Sequence, residues 1–135
     1  MTVNVTGFNQ PVVDVRISGT ADAIEAYTFS FAGALEVYTG QGRLYLDVPY
    51  EIQSLRYTLG TTADTDTIYG LRLNGQSILT ANATIIAGQY TTLLTTGFTQ
   101  TAFVQGDYLT VDIIQAGFTQ PGADLTVTIR LKRLS

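Results

Sequence analysis

The sequence Leu125-Thr126-Val127-Thr128-Ile129-Arg130-Leu131-Lys132 decides the fold, because it is the longest clean alternation of apolar and polar residues in the chain. Successive side chains of a β-strand point to opposite faces, so an alternation of this kind predicts a strand with one buried face. Gly122 lies just before it and marks the turn that leads into the strand.

The same two-residue period recurs earlier in the chain, in Tyr27/Phe29/Phe31, Leu44/Leu46, Leu55/Tyr57/Leu59 and Leu109/Val111/Ile113. Asn74-Gly75 lies between two β-prone runs and predicts a two-residue type I′ hairpin, because both residues readily take positive φ angles. No window of helical length shows the i, i+3, i+4 period without a Gly or a run of Thr crossing it. The 135 residues are therefore predicted to form one all-β domain, a single jelly-roll-like antiparallel β-sandwich with a short N-terminal arm.

The arm is predicted to comprise residues 1–25, and the sandwich residues 26–135. Within the arm, the alternation over residues 13–17 predicts either an edge strand or a continuation of the arm. Extended segments bind other proteins by adding a strand to an exposed sheet edge. We expect the arm to bind its partner through five apolar side chains: Val3, Val5, Phe8, Val13 and Val15.

Charged residues make up only 13% of the chain, whereas apolar residues make up 45%. This composition provides a core and excludes disorder throughout. An ordinary globular protein carries about a quarter charged residues, so the sparse charge predicts that another chain covers part of the surface. The formal charge of -4 argues against nucleic acid as a partner, because phosphate-binding surfaces need clustered Lys and Arg.

Residues 1–6 lack the features of a signal peptide and no apolar run could span a membrane, so a soluble protein is expected.

Residue types that carry most enzyme chemistry are missing. The chain has no His, which removes the commonest general base, and no Cys, which removes disulfides and thiolate metal sites. Lys132 is the single lysine and is poorly placed for Schiff-base chemistry. We therefore predict no enzymatic activity, no catalytic residue, no cofactor and no metal site.

Two pairs of carboxylates remain chemically possible as sites. Asp64 and Asp66, on either side of Thr65, could hold Ca²⁺ or act as an acid–base pair, but the preference of Asp for turns favours a solvated turn. Asp107, at a strand entry, is expected to cap a turn, and Asp112 to pair with an arginine across strands.

Aromatic residues offer two further hypotheses. Gly97-Phe98-Thr99-Gln100 recurs as Gly117-Phe118-Thr119-Gln120, and these phenylalanines either plug the end of the sandwich or lie at a shared contact surface. Tyrosines could also form a stacking platform for sugars, although β-propensity alone makes tyrosine common in sheets. The candidates for the platform are Tyr45, Tyr50, Tyr69, Tyr90 and Tyr108.

From residue 29 onward the chain resembles a β-sandwich domain of tailed-phage structural proteins, over about three quarters of its length. The segments that carry the resemblance, in order, are Phe31-Ala32-Gly33-Ala34-Leu35, Thr39-Gly40-Gln41-Gly42-Arg43-Leu44-Tyr45, Leu73-Asn74-Gly75, Ile86-Ala87-Gly88-Gln89, Gly106-Asp107-Tyr108-Leu109-Thr110-Val111-Asp112-Ile113 and Pro121-Gly122-Ala123-Asp124-Leu125-Thr126-Val127. The polar loop over residues 61–67 departs from the Pro-Gly character of that domain, so the resemblance implies no role for it.

The resemblance implies a virion component, either a capsid decoration (cement) protein or a part of a tail or head fibre. The short arm favours a homotrimeric cement protein that is made in the host cytoplasm, sits on the capsid surface and binds the major capsid protein. We expect its trimer contacts at Tyr27, Phe98, Phe103 and Phe118. The alternatives are a fibre tip that recognises host glycan and, third, a glycan-cleaving enzyme that uses Asp64 and Asp66.

Overall fold

A computed structural model describes residues 3–4, 16–17 and 22–134. The elements of regular secondary structure within these residues are all β-strands. No helix that could cross a membrane is found among the described residues. The strands are β1 (Val3–Asn4), β2 (Arg16–Ile17), β3 (Ile24–Ala34), β4 (Tyr38–Tyr45), β5 (Tyr50–Thr61), β6 (Thr67–Leu73), β7 (Gln76–Ser77), β8 (Ala83–Ile85), β9 (Thr91–Leu94), β10 (Ala102–Phe103), β11 (Tyr108–Gln115) and β12 (Ala123–Arg133).

Ten of these strands form two antiparallel sheets of five strands each. In the first sheet β3, β12 and β5 are neighbours in that order, and β9 and β10 both pair with the far edge of β5. In the second sheet the order is β4, β11 and β6, and β7 and β8 both pair with the far edge of β6. The remaining strands, β1 and β2, pair with each other, with Val3 opposite Ile17.

The strand order is that of a jelly roll. The first long strand, β3, pairs with the last, β12, and the second, β4, pairs with the last but one, β11. The third, β5, pairs with β9 and β10, and the fourth, β6, with β7 and β8. A long hairpin that wraps over itself into two sheets has this nested pairing. The predicted all-β jelly-roll sandwich is therefore confirmed.

The core is formed by the predicted apolar faces. Leu125, Val127, Ile129 and Leu131 of β12 are at most 1% exposed. Complete burial of an aliphatic side chain stabilises the fold by about 1.5 to 3 kcal/mol. The two sheets meet at an aromatic stack in which the rings of Tyr57 and Tyr69 lie 4.7 Å apart. The series Tyr27/Phe29/Phe31 also faces inward, with Phe29 buried and the other two half-buried against the core.

The structure bears on two boundaries predicted from the sequence, the end of the polar loop at residues 61–67 and the start of the sandwich at residue 26. The polar loop predicted at residues 61–67 is shorter, because Thr67 begins β6 with its side chain buried, where its hydroxyl accepts a hydrogen bond from Tyr69 at 2.7 Å. At the other boundary β3 begins at Ile24, and Glu25 is 3% exposed. The division of the chain into an arm and a domain stays a prediction.

The hairpin predicted at Asn74-Gly75 is confirmed. It joins β6 to β7 through these two residues, whose φ angles are 52° and 87°. Positive φ at both central residues defines the type I′ turn, whose twist matches that of the flanking strands. A Cβ atom at Gly75 would lie 4.0 Å from the nearest side chain, so only the backbone angle requires glycine there.

We predict that Gly75→Ala lowers the free energy of unfolding by about 1 to 2 kcal/mol, the cost of a Cβ atom at positive φ. Urea denaturation followed by circular dichroism would measure the loss. Gly75→Asn is the matched control and should cost much less, because Asn tolerates the left-handed region. Equal losses in the two variants would show that the backbone angle is not the constraint.

Candidate partner-binding surface

Four loops lie together at one end of the sandwich, and we call this end the four-loop end. They are the connections at residues 35–37, 62–66, 86–90 and 116–122. Loop-to-loop backbone hydrogen bonds join them: Asp64 N–H donates to Gln120 at 3.1 Å, Gly88 N–H to Ala63 at 3.1 Å, and Leu35 N–H to Gly122 at 2.8 Å. The four loops therefore form one connected surface.

Asp64 and Asp66 are structural residues of this surface. The carboxylate of Asp64 accepts hydrogen bonds from the N–H groups of Phe118 at 2.9 Å and Thr119 at 2.7 Å. The carboxylate of Asp66 accepts one from Ala87 N–H at 2.9 Å. Both residues are exposed, so the prediction of a solvated turn is confirmed. No group of three potential metal ligands is found among the residues that the structure describes.

The four-loop end exposes large apolar side chains that the loops hold in place. Phe118 is 86% exposed, Ile86 is 64% exposed and Tyr90 is 57% exposed. Phe118 also borders an open depression of about 360 Å³, together with Thr65, Gln115 and Gly117. Gly117 has φ of 110°, and a Cβ atom there would meet the Gln120 carbonyl at 2.8 Å. The loop therefore requires glycine next to its exposed phenylalanine.

The two copies of the Gly-Phe-Thr-Gln motif differ in what they do. Phe98 is half-buried against the core and forms an isolated β-bridge with Leu79, as a plug would. Phe118 lies in the surface loop and is exposed. Phe98 thus fits the plug hypothesis, whereas a shared contact surface formed by both copies stays a prediction.

The other predicted trimer contacts differ in exposure. Tyr27 is half-buried, and its hydroxyl lies 2.8 Å from Glu25 and 2.9 Å from the hydroxyl of Tyr50. Phe103 is 1% exposed and belongs to the core, so its side chain cannot reach a neighbouring chain and this prediction is wrong. The contacts at Tyr27, Phe98 and Phe118 stay predictions.

The predicted arm contacts lie almost entirely outside the described part of the chain. Val5, Phe8, Val13 and Val15 are outside it, and of Val3 only the backbone pairing with Ile17 is described. Partner binding by these five side chains stays a prediction.

Two of the five candidate tyrosines form a pair, in which Tyr45 is exposed and Tyr108 is half-buried. Tyr50 and Tyr69 are buried, and Tyr90 lies at the four-loop end. Tyr45 and Tyr108, near the opposite end, have ring centroids 5.4 Å apart at 50°. The guanidinium of Arg43 lies 4.2 Å from the Tyr108 centroid and donates a hydrogen bond to the Tyr45 hydroxyl at 3.1 Å.

The other two candidate aspartates, Asp107 and Asp112, have the structural roles expected from the sequence. Asp107 accepts a hydrogen bond from Val104 N–H at 2.9 Å, which caps the turn before β11. Asp112 is 4% exposed and pairs with Arg72 at 2.7 Å across strands β11 and β6. Its second oxygen accepts the N–H of Gly40 at 2.7 Å. These bonds satisfy a buried carboxylate that would otherwise destabilise the fold.

Sequence reasoning missed one buried cluster at the end opposite the four loops. Glu25 accepts hydrogen bonds from Tyr27 at 2.8 Å and from Tyr50 at 2.5 Å. Burial, followed by the hydrogen bond to Glu25, raises the pKa of Tyr50 above its ordinary value. The sequence contained a signal for this cluster, because Glu25 is two residues before Tyr27 and therefore lies on the same inward face of the strand as Tyr27 and Phe29.

No protein-family model matches the sequence, and a search of curated proteins finds no significant relative. Three solved structures match the chain at low identity. A chain of the complex between the Aeromonas sobria serine protease and its chaperone has 9% identity and a TM-score of 0.42, over 85% of this chain and 28% of that one. A family 35 carbohydrate-binding module from Clostridium thermocellum has 6% identity and a TM-score of 0.39, over 97% and 85%. A protein of the cyanophage Pam1 capsid asymmetric unit has 14% identity and a TM-score of 0.36, over 96% and 99%.

This chain thus spans little more than a quarter of the Aeromonas chain, but most of the other two. All three TM-scores lie below 0.5, and the likenesses assign no function to this chain.

Because Asp64 anchors the four-loop end through its carboxylate, we predict that the stability of the fold depends on pH. Partial desolvation acts to raise the pKa of Asp64, but hydrogen bonds from the backbone N–H groups of Thr119 and Phe118 outweigh it and hold the pKa below its ordinary value. A carboxylate with a lowered folded pKa contributes stability above its unfolded pKa of about 3.9, and the contribution is lost as pH falls through the folded value. Asp64→Asn should therefore lower the melting temperature at neutral pH, and the difference from wild type should shrink below pH about 4.

Thermal denaturation across this pH range measures the effect. Asp47→Asn, which changes an exposed carboxylate at the opposite end, is the control and should leave the profile unchanged. A deficit in Asp64→Asn that is the same at every pH would contradict the role of the charge.

Proposed function

We propose that the chain is a non-enzymatic virion structural protein, a homotrimeric capsid decoration (cement) protein of a tailed phage. It binds neighbouring subunits of the major capsid protein on the capsid surface and stabilises them. The resemblance of the sequence segments from Phe31 to Val127 supports this function. The sparse charge of the chain supports it as well, because 13% charged residues leave much of the surface suited to protein contacts.

The observation that carries the proposal is the exposure of Phe118. Burial of a phenylalanine side chain is worth about 1.5 to 3 kcal/mol, and here the folded chain leaves that contribution unused. The Asp64 carboxylate holds the backbone on both sides of the Phe118–Thr119 peptide, so little conformational entropy remains to be lost on binding. An exposed aromatic side chain on a backbone that is held in place is a typical anchor of a protein interface.

Three copies convert a modest contact into a strong one. When one chain of a trimer is bound, the other two are held close to their sites at high effective concentration, so overall affinity exceeds that of one contact by orders of magnitude. The N-terminal arm, in this proposal, adds strands to sheets of the capsid subunits. A particle stabilised in this way needs no catalytic group on the protein that binds it.

We predict that Phe118→Ala weakens binding to purified capsids by about tenfold per site without lowering stability, because the side chain is 86% exposed. Co-sedimentation of the protein with capsids that lack it measures the affinity and the copy number. Val104→Ala, an exposed apolar residue at the opposite end, is the matched control and should bind like wild type. Wild-type binding by Phe118→Ala, or a copy number unrelated to the number of capsid sites, would refute the proposal.

A second candidate function has one observation in its favour. The pair Tyr45 and Tyr108, with Arg43 beside it, combines aromatic rings with a hydrogen-bond donor on the surface. Sugars stack on exposed aromatic rings, and their hydroxyls accept hydrogen bonds from a guanidinium. This arrangement fits a fibre tip that recognises a host surface glycan.

An oligosaccharide array with the purified protein tests the glycan hypothesis. Selective binding that is lost in Tyr45→Ala and kept in Tyr38→Ala would favour the fibre tip, since both tyrosines are more than half exposed but Tyr45 is the one whose ring lies next to that of Tyr108. Absence of binding to any glycan would leave the cement function as the better account.

A further inference from the structure

Strand β3 has one edge that no other described strand covers. It has 11 residues and, among the described strands, pairs only with β12. The N–H of Arg133 donates to the carbonyl of Ala23 at 2.8 Å, which sets the phase of the ladder. In an antiparallel pair the residues that bond to the partner alternate with residues that point away. The N–H and C=O groups of Ala26, Thr28 and Ser30 therefore point away from β12, at the edge of the sheet.

From Ile24 to Phe31 this edge lacks the devices that usually prevent pairing with another chain. Such devices include Pro, Lys and β-bulges along the strand. The register of β3 with β12 is regular from Phe31 to Ile24, and the strand contains neither Pro nor a basic residue. The register shift of β3 against β12 lies beyond Phe31, near the end of the strand. Its single charged residue, Glu25, is buried and hydrogen-bonded to tyrosines.

The edge strand of the other sheet has such devices. In β4, Gly40 and Gly42 have φ angles of 74° and 68° and accompany two register shifts against β11. Arg43 follows on the same strand. Bulges twist an edge away from straight pairing, so β4 is protected where β3 is open.

We propose that the β3 edge is a docking site for the β3 edge of a second copy of this chain, paired antiparallel about a two-fold axis at Thr28. In this register Thr28 lies opposite the partner's Thr28, and Ala26 lies opposite the partner's Ser30. Ile24 likewise lies opposite the partner's Ala32. From Ala26 to Ser30, every residue whose backbone points outward therefore meets another such residue, and their N–H and C=O groups are paired.

The side chains are also compatible with this register. On the outer face, Ala26, Thr28 and Ser30 are small, and opposed threonines form a favourable cross-strand pair. On the inner face Tyr27 lies opposite the partner's Phe29, an aromatic pair of the kind that stabilises neighbouring strands. Glu25 lies opposite the partner's Phe31, so no like charges meet. The β3 edge is thus self-complementary in this register, with small residues, opposed threonines and aromatic rings paired and no like charges opposed, which favours a second copy of β3 as its occupant.

The contact has two-fold symmetry and joins the β3 sheets of two copies into one continuous sheet. It does not depend on the function proposed above. If the chain also forms trimers, this contact links one trimer to the next through different residues. In either case the native mass should be an even multiple of the mass of one chain.

The experiment uses a single introduced thiol, since the chain has no cysteine of its own. Thr28→Cys places two thiols across the two-fold axis, where directly opposed Cα atoms are about 5.5 Å apart. This separation lies within the range of about 4.4 to 6.8 Å that a disulfide spans. In oxidised glutathione, the full-length variant should form a covalent dimer on a non-reducing gel. Capsid binding is not measured, so failure here and failure of the cement function are distinguishable.

Ala26→Cys is the matched control on the same face of the same strand. Its thiols would be four residues out of register, about 14 Å apart along the strand, and should form no dimer. The double variant Ala26→Cys with Ser30→Cys should form the dimer again, because these positions lie opposite each other. If Thr28→Cys stays monomeric while its melting temperature is unchanged, the edge is free or another segment occupies it, and the proposal is wrong. Wild type that sediments as an odd number of chains would overturn it equally.

Discussion

The fold depends on the pairing of β12 along both of its edges. Its backbone bonds to β3 on one side and to β5 on the other, and its four inward side chains are essentially inaccessible to solvent. This strand comes last in the sequence, yet it lies between strands from the first half of the chain. The first sheet is thus completed only when the C-terminal strand inserts, which makes most contacts of the fold long-range. The position of β3 at the sheet edge follows from the same pairing.

The sequence predicted those parts of the fold in which one local rule decides the outcome. An alternation such as that of β12 has one solution when one face must be buried, because a slip of one residue would expose every apolar side chain. Asn74-Gly75 is similarly determined, since few residue pairs accept positive φ at both positions. Fold class, core faces and the hairpin could therefore be predicted from the residues alone.

The surface was harder to predict because its arrangement depends on residues distant in sequence. The carboxylate of Asp64 binds N–H groups more than 50 residues further along the chain, and no local pattern contains that contact. The two Gly-Phe-Thr-Gln motifs have the same local sequence, but Phe98 lies next to Leu79 and Phe118 lies in an exposed loop. Phe103 was predicted as a trimer contact, but it belongs to the two-residue strand β10 and is 1% exposed. Its burial follows from its pairing with Tyr50.

The two proposed contacts use directions of the sandwich that do not compete. Hydrogen-bonding groups on the edge of β3 point sideways, in the plane of the sheet and perpendicular to its strands. The four-loop end lies along the strand axis, where β5 ends and β6 begins. A copy paired through β3 therefore leaves Phe118 uncovered, and a partner bound at the loops leaves Thr28 free. Since neither contact requires the other, the chain can join a neighbouring copy and hold a different protein at the same time. The proposed cement function would need this independence, because each copy would have to meet its neighbours and the shell through separate surfaces.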